Sequence, residues 1–269
     1  MGWFSRKKKV KAEPEPPRVD PPPQPAAAEP PASAGAGEVA AITGRWEATI
    51  ADIASRLDQV LAQATTESEA LLGSLGTDFG PLDRIWSPAK ARMHEHTEMV
   101  SDAWDAISDE LSEVDGLPEG VMSREGGKRD LATCELEIRY ERAYRTVMAR
   151  AAEAMIAAAE RGQVDADVAR RMILASGGLF LGQREAQEAW EAMRRAETRI
   201  NNYREKRAVP LELLKELESS ARTYWTTALG VEARHAPEQQ PYVAAKIESY
   251  MKDVGKTLRR YWQWREQAG

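Results

Sequence analysis

Residues Met93–Val114, which read MHEHTEMVSDAWDAISDELSEV, decide the fold class of this chain. Spacings of four and three residues alternate without a break along one stripe, formed by Met93, Thr97, Val100, Trp104, Ile107, Leu111 and Val114. This pattern follows the 3.6-residue helical turn and gives a helix one apolar face. A strand would instead show a two-residue alternation. The segment therefore predicts a long amphipathic α-helix.

The same periodicity continues on both sides of this segment, and prolines fall where it lapses or restarts. The predicted helices run over about Glu38–Leu75, Pro88–Val114, Lys128–Arg161, Asp165–Ala175, Gln183–Arg207, Pro210–Leu229 and Pro241–Arg265. Single apolar stripes pack helices in pairs at small angles. We therefore predict an all-α fold, an elongated helical bundle or a set of coiled-coil-like helical hairpins.

The N-terminal region differs sharply in composition from the rest. Nine of the 15 prolines lie between Pro14 and Pro31, with almost no large apolar residue among them. Such a segment cannot offset the entropy cost of ordering, and we expect a disordered, partly polyproline II linker of about 80–90 Å maximal reach. The predicted organisation is a tip (1–11), a linker (12–38) and an all-helical domain (39–269).

The tip combines two aromatic residues with a run of positive charge. Its proposed contact residues are Trp3, Phe4, Arg6, Lys7, Lys8, Lys9 and Lys11. Aromatic rings suit the membrane interface, and basic side chains are attracted to anionic lipid. We expect contact with an anionic membrane surface, with a tail that only aids solubility as the alternative. Nucleic acid is a weaker alternative.

Composition narrows the class of protein further. Outside the tip, the chain has 32 Lys and Arg residues and 43 Asp and Glu residues. This acidic balance disfavours binding to nucleic acid. The mean hydropathy is −0.55, and neither a membrane span nor a secretory leader is expected. The single cysteine, Cys134, excludes an internal disulfide and fits a reducing cytoplasm. The heavy use of Ala, Arg and Pro favours a bacterial source.

Four segments invite a more specific interpretation. His94, His96 and Glu98 offer metal-ligand chemistry, but on a helix the two histidines point about 200° apart, so a solvated face is the preferred interpretation. The acidic face of the same helix is expected to be solvated, with docking of a basic partner or of the chain's own tail as the alternative. Gly177–Gly182 is interpreted as a hinge. Cys134 is expected to be a buried, inert thiol.

The C-terminal segment interleaves aromatic and basic side chains. We expect Arg259, Arg260, Trp262 and Trp264 either to contact a partner or to pack within the protein. No catalytic, cofactor or metal motif is recognised anywhere in the chain, and no catalytic residue or cofactor is predicted.

The sequence favours a non-enzymatic scaffold or adaptor that binds protein partners and is held at the inner membrane face by its tip. A self-assembling structural component of a bacterial or phage assembly is the first alternative, and homo-oligomers are expected in that case. A metal-binding bundle built on His94 and Glu98 is the second alternative.

Overall fold

The computed structural model describes residues 34–75, 78–169, 184–203 and 208–232, together with residues 252, 255, 256, 259 and 263. The helices are α1 (Ala34–Leu71), α2 (Gly80–Glu113), α3 (Val121–Glu160), α4 (Arg184–Asn201) and α5 (Leu211–Glu232), and a short 3-10 helix (Leu72–Ser74) follows α1. No strand occurs within these ranges. The predicted all-α class is confirmed for this part of the chain.

Helix α1 begins four residues before its predicted start at Glu38. Its core-facing residues are Val39, Ile42, Trp46, Ile53, Leu57, Leu61 and Ala64. Ile50 and Val60 are half-buried against the edge of the core.

The prediction that a helix begins at Pro88 is wrong for α2. This helix begins at Gly80 and continues through Pro88. Pro81 lies in the first turn, where backbone N–H groups have no partner within the helix. Its missing N–H therefore costs no hydrogen bond. Leu82 and Trp86 are fully buried just before Pro88, and their burial offsets the roughly 3 kcal/mol that an internal proline costs. Tertiary packing therefore overrides the local break signal.

Helix α3 begins at Val121, seven residues before its predicted start at Lys128, and includes Gly126 and Gly127. Two internal glycines cost about 1 kcal/mol each relative to alanine, so local propensity disfavours a helix through this point. A Cβ at Gly126 would lie 3.3 Å from the Trp104 ring of α2. Gly126 therefore lets α3 approach this ring closely.

Helices α1, α2 and α3 share one apolar cluster, termed here the first core. The Trp46 and Trp104 ring centroids lie 5.9 Å apart, while the Trp86 indole N–H donates to Ser68 Oγ at 2.9 Å. Because later residues of α1 meet earlier residues of α2, the two helices are antiparallel. On α3, Tyr140 stands edge-on to Trp86, with 5.8 Å between ring centroids.

Helices α4 and α5 form a hairpin with a cluster of its own, termed here the second core. It contains Met193, Ala196, Ile200, Val209, Leu213, Leu214, Leu217 and Ala221. Helix α4 ends at Asn201 rather than near Arg207, and residues 204–207 lie outside the described residues.

Two further predicted helices are described only in part. Residues 166–169 are helical, and the Asp165 carboxylate accepts a hydrogen bond from the Val168 N–H at 2.9 Å, as an N-cap residue does. The remainder of that predicted helix, the glycine-rich segment and most of the helix predicted over Pro241–Arg265 lie outside the described residues. Within the described ranges, no helix has both the length and the apolar character needed to cross a membrane.

Candidate functional site

Helix α3 is covered on two opposite sides. Between residues 132 and 140 every second residue is buried, which on a helix requires two separate buried faces. Leu136 and Tyr140 belong to the first core. Cys134 and Ile138 are equally buried but belong to neither core, and Thr198 of α4 lies beside the Cys134 side chain. The second face of α3 is therefore the one that α4 covers.

Around this second face, α3 and α4 are joined by three arginine–glutamate pairs, termed here the charged interface. The Arg142 guanidinium donates two hydrogen bonds to Glu191, at 2.9 and 2.5 Å. Arg195 donates two to Glu135, at 2.5 and 3.0 Å, and Arg194 donates one to Glu137 at 2.8 Å. Forked pairs of this kind fix geometry as well as charge. The interface therefore sets the position of the hairpin along α3.

Glu191 is the centre of the charged interface. Its residue exposure is only 3%, and it also accepts a hydrogen bond from Gln187 at 2.9 Å and lies 3.5 Å from Arg195. Burial disfavours the ionised carboxylate, but hydrogen bonds from Arg142 and Gln187 and the nearby arginine charges outweigh it and lower the pKa of Glu191 below its ordinary value. The carboxylate is therefore ionised near neutral pH.

The Cys134 thiol lies beneath α4, beside the charged interface. Burial raises its pKa, against the opposing effects of the Thr198 hydrogen bond and the Arg194 charge. A thiol with a raised pKa and little exposure is a poor nucleophile. The prediction of a buried Cys134 is confirmed.

Two contacts extend the attachment of α4 along α3. The Arg145 guanidinium lies 4.5 Å from the centroid of the Trp190 ring, a cation–π contact. Towards the other end of α4, the Asn202 side-chain amide donates to the Gly127 carbonyl at 3.4 Å. Polar and charged contacts between α3 and α4 thus occur along the length of α4, on either side of the buried Cys134 and Ile138.

Grooves open on both sides of the charged interface. One, of about 470 Å³, lies between α1, α3 and α4 beside Arg139 and Arg195. Another, of about 550 Å³, lies between α3 and α4 and is lined by Arg142, Arg145, Arg150, Arg184 and four carboxylate or amide side chains. These arginines are held by carboxylates of the same chain. The grooves are therefore charge-compensated surfaces, unlike the mainly apolar pockets that bind small molecules.

The site residues predicted from the sequence lie elsewhere. The tip residues Trp3, Phe4, Arg6, Lys7, Lys8, Lys9 and Lys11 lie outside the described residues, as do Arg260, Trp262 and Trp264. Arg259 is described as helical and exposed, and its Nε donates to the Gly255 carbonyl at 3.2 Å. The contacts proposed for these residues therefore stay predictions.

The two histidines of α2 differ in exposure, as expected for side chains that point to different sides of a helix. His94 is exposed, whereas His96 is 8% exposed and its Nδ1 lies 2.5 Å from the Arg92 carbonyl. The solvated-face interpretation is therefore correct for His94 and wrong for His96. No group of three His, Cys, Asp or Glu side chains in the described ranges could hold a metal ion. The acidic residues of α2, from Glu95 to Glu113, are exposed as predicted.

Sequence reasoning missed the charged interface. A signal was nevertheless present, because arginine and glutamate flank the apolar stripe of α4 at spacings of three and four residues, as charged residues flank the seams of coiled coils. The partners on α3 lie 49 to 60 residues away in sequence. The pattern could therefore indicate that α4 has a charged partner helix, but not which one.

In comparisons with known proteins, no protein-family model, no curated protein and no solved structure matches the chain.

Proposed function

We propose that this protein is a non-enzymatic helical adaptor that binds a protein partner through its helical body and is held at an anionic membrane surface by its tip. The observation that carries the proposal is that α1–α3 and the α4–α5 hairpin, which belong to one compact unit, contain distinct apolar clusters and are joined by the charged interface. Such a helical body presents exposed helical surfaces that suit the reversible binding of a partner.

The tip supplies the membrane part of the proposal. Trp3 and Phe4 precede five basic residues within the first eleven positions, where no acidic residue occurs. At about 1 kcal/mol for each basic residue, the charges contribute about 5 kcal/mol before ordering costs, and the aromatic rings add interfacial burial. This attraction supports weak, reversible attachment that dissociates at high salt.

Vesicle co-sedimentation tests the attachment with the full chain. Wild type should sediment with vesicles rich in anionic lipid and remain in solution with neutral vesicles. The triple variant Lys7→Glu, Lys8→Glu, Lys9→Glu should lose at least about tenfold in partitioning, while the matched variant with arginine at the same three positions should bind as wild type does. Equal binding of the glutamate variant would contradict the tether.

A second arm tests the adaptor role. Vesicles loaded with wild-type chain are incubated with cell extract, and proteins that sediment only in the presence of the chain are identified. Each candidate is then purified and must be recruited to vesicles by the purified chain alone. If no candidate survives this reconstitution while the chain itself binds, the adaptor function is wrong and only membrane attachment remains.

A further inference from the structure

The attachment of the α4–α5 hairpin to α3 carries more charge than the packing within the two cores. Among the described residues, the first core centres on α1–α3 and the second on α4–α5, and a small further cluster of Ala189 and Tyr224 also lies in the hairpin. Between α3 and α4, Cys134 and Ile138 are buried, and the charged interface, a cation–π contact and hydrogen bonds lie around them. No described residue of α3 belongs to the second core, so the apolar contacts within the hairpin do not require α3.

The charged interface is also accessible to salt. The side chains of Arg142, Arg194 and Arg195 are 56%, 36% and 32% exposed, respectively. Ions screen exposed pairs over about 10 Å at roughly 0.1 M salt, whereas apolar packing in the two cores is not weakened by sodium chloride in this way. Raising the ionic strength should thus weaken the attachment of the hairpin more than either core.

We infer that the α4–α5 hairpin is a lid on α3 that opens as a unit when the charged interface dissociates, with both cores intact. Opening uncovers the second face of α3, including Cys134 and Ile138, together with the inner face of α4. Glu191 controls the opening, because it is the buried carboxylate that Arg142, Gln187 and Arg195 all contact. The inference goes beyond the adaptor function and does not depend on membrane attachment.

Cys134 reports on this opening directly. It is the single cysteine of the chain, it is 4% exposed, and its thiol lies beside Thr198 of the lid. A thiol reagent therefore modifies one known position, and only in molecules in which α4 has moved away. The protection of Cys134, relative to the chain unfolded in urea, measures the equilibrium constant for opening.

The experiment follows modification of Cys134 in the full chain by a chromogenic disulfide reagent between about 0.05 and 0.5 M sodium chloride. Urea unfolding followed by circular dichroism gives the global equilibrium constant under the same conditions. We expect Cys134 to be modified much faster than global unfolding alone would allow. The modification rate should rise about tenfold over this range of salt concentration. Protection equal to that of global unfolding, or no protection at all, would overturn the lid.

Variants separate the lid from general instability. Glu191→Gln keeps the shape of the side chain but removes its charge, and should speed modification about tenfold. Glu188→Gln is the matched control, because Glu188 pairs with Arg184 within α4 and does not bridge to α3; its rate should equal that of wild type. Equal rates for the two variants would overturn the role of Glu191.

A charge exchange covers the case in which a variant at Glu191 folds poorly. Arg194→Glu should speed modification, and adding Glu137→Arg should restore most of the protection, because the pair between α4 and α3 is re-formed in the opposite sense. If the double variant is modified as fast as the single one, Arg194 and Glu137 do not hold the lid closed. This readout is independent of vesicle binding, so failure of the lid and failure of the adaptor function are distinguishable.

Discussion

Glu47 on α1 and Lys128 on α3 form an ion pair with 2.6 Å between Oε1 and Nζ, and they lie 81 residues apart in sequence. The same separation recurs in two further pairs, each eleven residues along, Asp58–Arg139 and Glu69–Arg150. Eleven residues complete three turns of about 3.67 residues, so the same faces of two helices meet again. Helices α1 and α3 are therefore parallel and keep one register over these three contacts.

Lys128 should matter more for stability than the other two cations of this series. It also lies 2.9 Å from the carboxylate of Glu125, whose side chain is 1% exposed. Lys128→Ala leaves that buried charge with less compensation and should lower the free energy of unfolding by about 2–4 kcal/mol. Arg139→Ala, the control, breaks a more exposed pair and should cost at most about 1 kcal/mol.

Urea unfolding of both variants checks this prediction. Equal losses of unfolding free energy in the two variants would show that the buried carboxylate of Glu125 does not depend on Lys128.

Ser68 should be required for stability because it satisfies a buried indole. It accepts the Trp86 N–H at 2.9 Å and donates to the Ala64 carbonyl at 2.7 Å, and it is fully buried. Ser68→Ala should lower the free energy of unfolding by about 1–3 kcal/mol, since the indole N–H loses its partner. Ser112→Ala removes an exposed hydroxyl of α2 and should change it by less than about 0.5 kcal/mol. A Ser68 variant as stable as the Ser112 variant would refute this assignment.

The adjacent glycines of α3 should respond differently to alanine. At Gly127 the new methyl would meet the Asn202 side chain at an ordinary 3.5 Å, so helix propensity should raise the free energy of unfolding by up to about 1 kcal/mol. At Gly126 it would lie 3.3 Å from the Trp104 ring, which is held in the first core. Gly126→Ala should therefore gain less or destabilise, and thermal unfolding of the two variants measures the difference.

Stability should depend on pH through Glu191. Its pKa in the folded protein is lower than the ordinary value of 4.5, so the unfolded chain takes up the proton first as pH falls. The stabilisation is present above about pH 4.5 and is lost as pH falls through the lower, folded pKa. The difference in unfolding free energy between wild type and Glu191→Gln should be constant near neutral pH and shrink in acid. A difference that does not change with pH would contradict this linkage.

Helix existence could be predicted from the sequence more reliably than helix boundaries. The stripe from Met93 to Val114 identified α2, because burial of one face repeats with the helical turn. The predicted starts at Pro88 and Lys128 were too late, since Pro88 and the pair Gly126–Gly127 are unfavourable locally, whereas Trp86 is buried beside Pro88 and Trp104 packs against Gly126. Local propensity cannot include the contribution of a residue from another helix.

By itself, the sequence determined that this protein is helical, which faces of most helices are apolar and that the body is acidic, because periodicity and charge are properties of neighbouring residues. Only the tertiary structure decided that α3 has two buried faces, and that Arg142 meets Glu191 across 49 residues of sequence. Pairing between charged helices depends on their register and order in space, and many pairings satisfy the same pattern of charges. The charged interface therefore became visible only once α4 was placed against α3.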